Sequence, residues 1–109
     1  MNYKDFKPIL ERDGGRCYHC GLTGDTLVPQ HRAGRGMGGT SKKDNPANLI
    51  AFCSIANGMI EANSEWAENA RAFGWKIHRW QDPEQVAVKE LWSGLSWLLA
   101  ADGTRTLVK

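Results

Sequence analysis

Long apolar runs are missing from this sequence of 109 residues, although 41% of its residues are hydrophobic. A membrane-spanning helix needs an apolar stretch of roughly 18 residues or more, so the sequence contains no candidate for one. We also find no N-terminal secretory signal. From these absences we expect a soluble cytoplasmic protein without a membrane partner, built as one domain of common size.

A strong net charge is also missing, since 14 basic and 12 acidic residues leave a formal charge of only +2. This balance alone does not indicate a nucleic-acid partner. The distribution is more informative, because basic side chains surround one polar segment: Arg16, Arg32, Arg35, Lys42 and Lys43. Asp44 is the only acid between Asp25 and Glu61. Most charge clusters belong to solvated loops, but the His and Asn residues nearby favour a surface that faces phosphate.

Cysteine is scarce, and its count of three is odd, so the thiols cannot all pair as disulfides within one chain. Cys17 and Cys20 form a CxxC pair, and Cys53 lies further along. In an intracellular chain this pattern favours a metal site or free thiols over a disulfide.

The first half of the chain alternates short periodic segments with glycine-rich breaks. Apolar residues at helical spacing predict a helix over residues 3–12, which the Asp-Gly-Gly of residues 13–15 ends. Residues 26–31 and 49–52 predict two strands. The glycines and proline of residues 33–46 predict a long loop between them, and a loop of that length in a small domain is usually functional or mobile.

The period changes after Ile55, where apolar residues recur at spacings of three and four as far as Phe73. This predicts an amphipathic helix, or two helices if Asn63 caps a second one. Gly74 is well placed as the stop. Beyond it the pattern predicts short strands separated by turns, over residues 75–80, 86–92, 96–99 and 104–108.

Tryptophan is abundant for a chain of this length, with five residues. Large aromatic side chains fill a small core efficiently, and we expect most of them to do so. The alternative is stacking on the bases of a single-stranded nucleic acid. An exposed pair would favour that alternative, and the candidates are Trp80 and Trp92.

One motif joins these segments: Gln30-His31, the Gly/Arg loop, Asn48, Cys53 and Asn57. With the lead-in ERDGGRC of residues 11–17, it resembles the HNH endonucleases, which have a ββα-metal (His-Me finger) core. The flanking RGMGG, NPANLI and GWKIHRWQDP segments resemble small HNH proteins of bacteriophages and prophages. The resemblance covers roughly residues 10–90. It implies an α+β fold in one domain, 1–109, with the core over about 10–74 and a C-terminal β extension over 75–109.

The resemblance also implies a role for each motif residue. His31 would be the general base, Asn48 would anchor the loop through backbone hydrogen bonds, and Asn57 would bind the catalytic metal. Gln30 stands where relatives commonly carry an acid or a histidine, so it offers the metal an oxygen but no charge. Glu61 follows Asn57 by four residues, and a helix would place both on one face. Such oxygen ligands suit Mg²⁺ or Mn²⁺.

The cysteines depart from the pattern in a similar way. HNH domains with a zinc site carry a second CxxC before the helix, but here Ala56 follows Cys53 at the required spacing. Structural zinc prefers four ligands in a closed tetrahedral site. Two alternatives stay open: Zn²⁺ bound by Cys17, Cys20 and Cys53 with an outside ligand, or free thiols that pack as small hydrophobic groups.

These features together predict a metal-dependent endonuclease that hydrolyses phosphodiester bonds of double-stranded DNA, in phage DNA processing or packaging. Phage packaging proteins are candidate partners, and the sequence does not set the oligomeric state. The DNA phosphates would contact the basic set, because the Gly/Arg loop lets backbone amides and guanidiniums approach closely. Gln30 motivates one alternative, an HNH-fold DNA-binding module that has lost cleavage. The other is a small phage protein that binds a host protein.

Overall fold

The computed structural model describes residues 3–33 and 45–108, which form three helices, a 3-10 turn and five strands. In chain order the elements are α1 (Tyr3–Arg12), β1 (Leu27–His31), a 3-10 turn (Pro46–Asn48), β2 (Leu49–Cys53), α2 (Ser54–Ala62), α3 (Ser64–Ala72), β3 (Val88–Lys89), β4 (Ser96–Leu99) and β5 (Arg105–Leu107). The strands form two antiparallel sheets, so the α+β class predicted from the sequence is confirmed. None of the helices described has the length and apolarity that a membrane span requires.

The N-terminal helix α1 forms where the sequence predicts it and buries Phe6 and Ile9. These side chains pack with Leu49 and Ala51 of β2 in a small satellite of the core. The helix ends because Gly14 adopts a φ of 70°, a left-handed conformation that costs glycine little. The chain then enters the segment that carries the CxxC pair.

Strands β1 and β2 form a two-stranded antiparallel hairpin in which Leu27 pairs with Cys53 and His31 pairs with Leu49. Every residue of β2 is buried, which explains its continuous apolar sequence. The helix α2 begins at Ser54, directly after β2. The order strand, strand, helix is the order that the HNH resemblance implies for the motif.

Two helices, not one, follow the hairpin, and Asn63 separates them. Its extended backbone ends α2, and its side chain accepts hydrogen bonds from the N–H groups of Glu65 and Trp66 at the start of α3. Gly74 ends α3 with a φ of 78°. A Cβ atom there would lie 2.0 Å from the carbonyl oxygen of Ala87, so the approach of the two backbone segments needs glycine.

The C-terminal part departs from the sequence prediction. Residues 75–80 were expected to be a strand but form an irregular segment, whose apolar side chains Trp75 and Ile77 are buried. Its backbone N–H groups bond to α3 and to Arg32 instead of a neighbouring strand. The strand expected over 86–92 shortens to β3, whereas β4 matches its predicted range and β5 lies within it.

A buried polar network attaches the C-terminal sheet to the rest of the domain. Glu90 accepts a hydrogen bond from the indole of Trp97 at 2.8 Å and one from Arg105 at 2.9 Å. Arg105 also reaches the hydroxyl of Tyr18, which donates to Asp13 at 2.6 Å. Burial and the nearby Asp13 carboxylate raise the pKa of Tyr18, so this hydroxyl keeps its proton and its role as donor.

Candidate functional site

The motif residues meet where β1 ends and α2 passes it. Gln30 is almost fully buried, at 1% exposed, and its side-chain oxygen accepts a short hydrogen bond from the side-chain amide of Asn57, in the first turns of α2. The Gln30 amide nitrogen faces the carbonyl oxygens of Trp75, at 3.3 Å, and of His31, at 3.2 Å. These two acceptors orient the Gln30 oxygen toward α2. His31 itself is half-buried at the end of the strand.

Asn48 fixes the chain that follows His31. Its side chain is fully buried, and its carbonyl oxygen accepts a hydrogen bond from the backbone N–H of Ala33 at 2.8 Å. Its amide nitrogen donates to the carbonyl oxygen of the same residue at 3.2 Å. The backbone N–H of Arg32 donates to the carbonyl oxygen of Asn48 at 2.8 Å. Asn48 therefore holds the backbone of Arg32 and Ala33, directly after His31.

Arg32 does not face a phosphate, as the sequence led us to expect, but lies in the interior at 0% exposed. Its guanidinium donates to four backbone carbonyls, those of Gly74, Ala47, Pro83 and Val86, at 2.6–2.9 Å. Burial lowers the pKa of Arg32 to about 10, which still leaves it charged at neutral pH. Arg32 is therefore removed from the DNA-phosphate set. Its hydrogen bonds link the hairpin to the C-terminal part of the domain.

The other basic residues of the set divide into two groups. Arg16 is exposed, donates to the carbonyl oxygen of Gly21 at 3.1 Å and lies 5.0 Å from the ring centroid of Trp92. The remaining members lie outside the residues that the structure describes: Arg35, Lys42 and Lys43. Arg16 is thus the one basic residue of the predicted set that the structure both describes and exposes.

Glu61 lies one helical turn after Asn57 on α2, and its side chain is exposed. Helical periodicity places both residues on one side of the helix. The hydrogen bond that joins Gln30 to Asn57 involves two neutral amides. The carboxylate of Glu61 is therefore the nearest negative charge that α2 itself offers to a cation at this position.

The three cysteines converge at the opposite end of the hairpin. The sulfur atoms of Cys17, Cys20 and Cys53 lie within 4.8 Å of one another, an arrangement that could hold a metal ion. Cys17 accepts backbone N–H groups of Cys53 at 3.1 Å and of His19 at 3.3 Å. In the metal-free protein burial raises the pKa of the Cys17 thiol to about 12, and a bound metal would reverse that preference by stabilising the thiolate.

The cluster has no fourth cysteine, because Ala56 stands at the sequence position where a second CxxC would place one. Ala56 is buried, and its backbone N–H donates to the sulfur of Cys53 at 3.4 Å. His19 is not part of the sulfur cluster, because its ring packs 5.2 Å from that of Trp66 and 5.6 Å from that of Trp75. The geometry therefore gives three sulfur ligands, and a metal at this position would take its fourth ligand from outside the cysteine set.

Sequence reasoning missed the hydrogen bonds of the buried Arg32 guanidinium and the hydrogen bond from Gln30 to the carbonyl oxygen of Trp75. Gly74, which Arg32 contacts, lies 42 positions further along the chain, and Trp75 lies 45 positions after Gln30. No local signal could have found them. The one usable hint was chemical, because a guanidinium has five donors and can satisfy several carbonyls at once.

We compared the chain with protein-family models, with curated proteins and with solved structures. None of the three comparisons finds a match. The HNH family therefore stays a resemblance, and the function has to be inferred from the residues of the site.

Proposed function

We propose that this protein is a metal-dependent DNA endonuclease of the HNH type, with His31 as its general base. One observation carries the proposal: the side chains of Gln30 and Asn57 meet between β1 and α2, and His31 follows Gln30 at the end of the same strand. Asn48 supports it by holding the backbone on the other side of His31. The motif residues, which lie far apart in the sequence, are thus neighbours in the fold.

A divalent cation fits the chemistry of these side chains. Gln30 and Asn57 each carry an amide oxygen, and Glu61 adds a carboxylate, which is the ligand type that Mg²⁺ and Mn²⁺ prefer. The cation would neutralise charge on the scissile phosphate and on the leaving oxygen. Because Gln30 and Asn57 are hydrogen-bonded to each other, a cation has to displace that bond, and Asn57 has to present its oxygen.

His31 would take a proton from the attacking water. Imidazole suits this task because it exchanges protons near neutral pH. The position of His31 is set by its pairing with Leu49 and by the hydrogen bonds of Asn48 to the following backbone. A general base contributes only when it is held within hydrogen-bond reach of the water, so this support belongs to the mechanism.

The test is the relaxation of supercoiled plasmid by purified protein with added Mg²⁺ or Mn²⁺. We expect nicking that requires the metal, stops with EDTA and is lost in His31→Ala. Nicking that survives unchanged in His31→Ala would remove this residue from the mechanism. Asn57→Ala should reduce nicking, with the exposed Asn69→Ala on α3 as its matched control.

A second function is favoured by the neutral amide pair itself. Gln30 and Asn57 satisfy each other without a cation, which suits a DNA-binding module that no longer cleaves. Salt-dependent DNA binding without nicking at any metal concentration would select this function. The absence of both binding and nicking would select a protein-binding role.

A further inference from the structure

Trp80 is the most exposed tryptophan of the chain, at 76%, whereas Trp75 is buried at 2%. The Trp80 ring is not loose on the surface. It stacks on the imidazole of His78, with the ring centroids 4.3 Å apart and the planes within 4° of parallel. One face of the indole is therefore covered, and the exposed area belongs to the rest of the ring.

A tight turn holds this pair in place. The backbone N–H of His78 donates to the side-chain oxygen of Gln81 at 2.7 Å, and the backbone N–H of Gln81 donates to the carbonyl oxygen of His78 at 3.0 Å. An aromatic ring that is already oriented loses little conformational freedom when a ligand stacks on it. The turn therefore presents Trp80 as a ready contact surface.

The same turn is fastened to the strand that carries His31. The backbone N–H of Ile77 donates to the carbonyl oxygen of Arg32 at 2.8 Å, and the Arg32 guanidinium holds the carbonyl oxygen of Pro83 at 2.8 Å. Because a residue spans at most about 3.6 Å, the α-carbons of His31 and Trp80 lie no more than roughly 20 Å apart. A short oligonucleotide can span that distance.

The charged residues around Trp80 indicate where the phosphates and the bases of a nucleic acid would lie. Arg79 is exposed beside it, and Lys76 and His78 precede it. A groove of about 360 Å³ adjoins Trp80, bounded by Asn45 and by the segment 79–84, which includes Arg79. The acids of that segment, Asp82 and Glu84, disfavour a phosphate inside the groove, but a nucleobase beside the indole meets acceptors that suit its amino groups.

We propose that Trp80 is a stacking platform for an unpaired nucleobase of single-stranded DNA, with the phosphates near the cations Lys76 and Arg79. The proposal deepens the proposed function, on which it rests for the identity of the strand, by naming the form of DNA that the site contacts. A π-face is common to all bases, so the contact is tolerant of sequence.

The experiment compares two fluorescein-labelled 12-mers by anisotropy, without added divalent cations: a mixed-sequence single strand and an abasic strand of equal length. Both carry the same phosphates, and only the first carries bases. Base stacking predicts that the wild type binds the first strand about 5- to 150-fold more tightly. Trp80→Ala should remove this preference, and Trp80→Phe should keep part of it.

Trp92→Ala is the matched control, because Trp92 is also exposed, at 45%, but its ring lies against Gly21 and beneath Arg16. The preference for bases should survive in this variant. A preference that persists in Trp80→Ala, or its absence in the wild type, would overturn the platform. Plasmid nicking without a base preference leaves the nuclease standing and removes the platform. A Trp80-dependent preference without nicking does the reverse.

Discussion

Two groups of candidate ligands sit at opposite ends of the β1–β2 hairpin, and each lacks one feature of a complete metal site. The cysteine group, beside the pair Leu27 and Cys53, has three sulfurs in place but no fourth cysteine, because Ala56 stands where a second CxxC would end. The amide group, at the end of β1 where Gln30 meets Asn57, has oxygens but no carboxylate in its hydrogen bond. Helix α2 starts beside the first group and returns along the hairpin to the second.

The difference lies in what a metal has to displace. At the cysteine group it displaces protons from thiols that already converge, so a bound ion would be a resident part of the fold. At the amide group it displaces a hydrogen bond between two neutral side chains, and it gains little charge in return. A cation there would bind weakly until DNA brings its phosphate. We therefore expect a permanently bound ion at the cysteine group and an ion that binds only with substrate at the amide group.

The largest expected effect is on the nicking rate, which should depend on the amide end of the hairpin and not on the cysteine end. His31→Ala should lower the rate of plasmid nicking by about 10²–10⁴, the usual contribution of a general base. Cys20→Ser, at the exposed member of the cysteine group, should leave the rate of the folded protein nearly unchanged. Nicking rates at saturating metal measure both. A larger loss in Cys20→Ser than in His31→Ala would reverse the assignment of the two ends.

The next effect is on stability, because the buried guanidinium of Arg32 supports only the amide end of the hairpin. Arg32→Leu removes a buried charge and leaves the carbonyl oxygens of Gly74, Ala47, Pro83 and Val86 without their donor. We expect the free energy of unfolding to fall by about 3–5 kcal/mol. Urea unfolding measures it, with Arg71→Leu at the exposed end of α3 as the control. A decrease in the free energy of unfolding below about 1 kcal/mol would show that the Arg32 hydrogen bonds do not stabilise the fold.

The third test completes the cysteine group. Ala56→Cys restores the second CxxC, so it should increase the zinc that co-purifies with the protein and raise the Tm. A gain of about 1 kcal/mol corresponds to roughly 4–8 °C in a domain of this size. Metal analysis and thermal unfolding with and without EDTA are the measurements. Ala62→Cys adds an exposed thiol elsewhere on α2, and an equal gain in that variant would mean that position 56 is not a ligand position.

The smallest expected effect is a shift in metal requirement at the amide end. Gln30→Asp adds a carboxylate and should lower the metal concentration for half-maximal nicking by about tenfold. It should also destabilise the metal-free protein by about 1–3 kcal/mol, because the donor to the Trp75 carbonyl is lost. Glu61→Gln should raise the midpoint, whereas Glu68→Gln, an exposed control on α3, should not. Unmoved midpoints in Gln30→Asp and Glu61→Gln would mean that the ligand set is wrong.

Local patterns were sufficient to predict the hairpin and the helices. The buried strand β2, the cap at Asn63 and the stop at Gly74 all depend on residues close in the chain. The segment 75–80 was mistaken for a strand because Trp75 and Ile77 are apolar and alternate. Alternation shows that side chains are buried, but it does not show that a partner strand exists.

The candidate site was predictable only where its residues act through neighbouring backbone. Asn48 was expected to bond to nearby backbone, because an Asn side chain bonds readily to peptide groups, and its side chain contacts the backbone of Ala33. The burial of Arg32 was not predictable, because the carbonyls around its guanidinium belong to Ala47 and to the distant segment 74–86. In the sequence, Arg32 directly follows the expected base His31, so it resembles a residue that contacts the substrate. Only the folded structure shows that backbone carbonyls surround its guanidinium.

Asn48 has a further consequence, for how the protein can change. Its side chain holds Ala33, and its backbone N–H donates to the carbonyl oxygen of Asn45 at 2.7 Å, so one residue fixes both ends of the segment 34–44. In general, lengthening a stretch of chain between two fixed points costs little, about 0.6 kcal/mol for each doubling of its length. Segments of other lengths and sequences can therefore be exchanged between Ala33 and Asn45 while His31 keeps its position. Under the proposed function, replacement of that one segment would give the domain new DNA preferences.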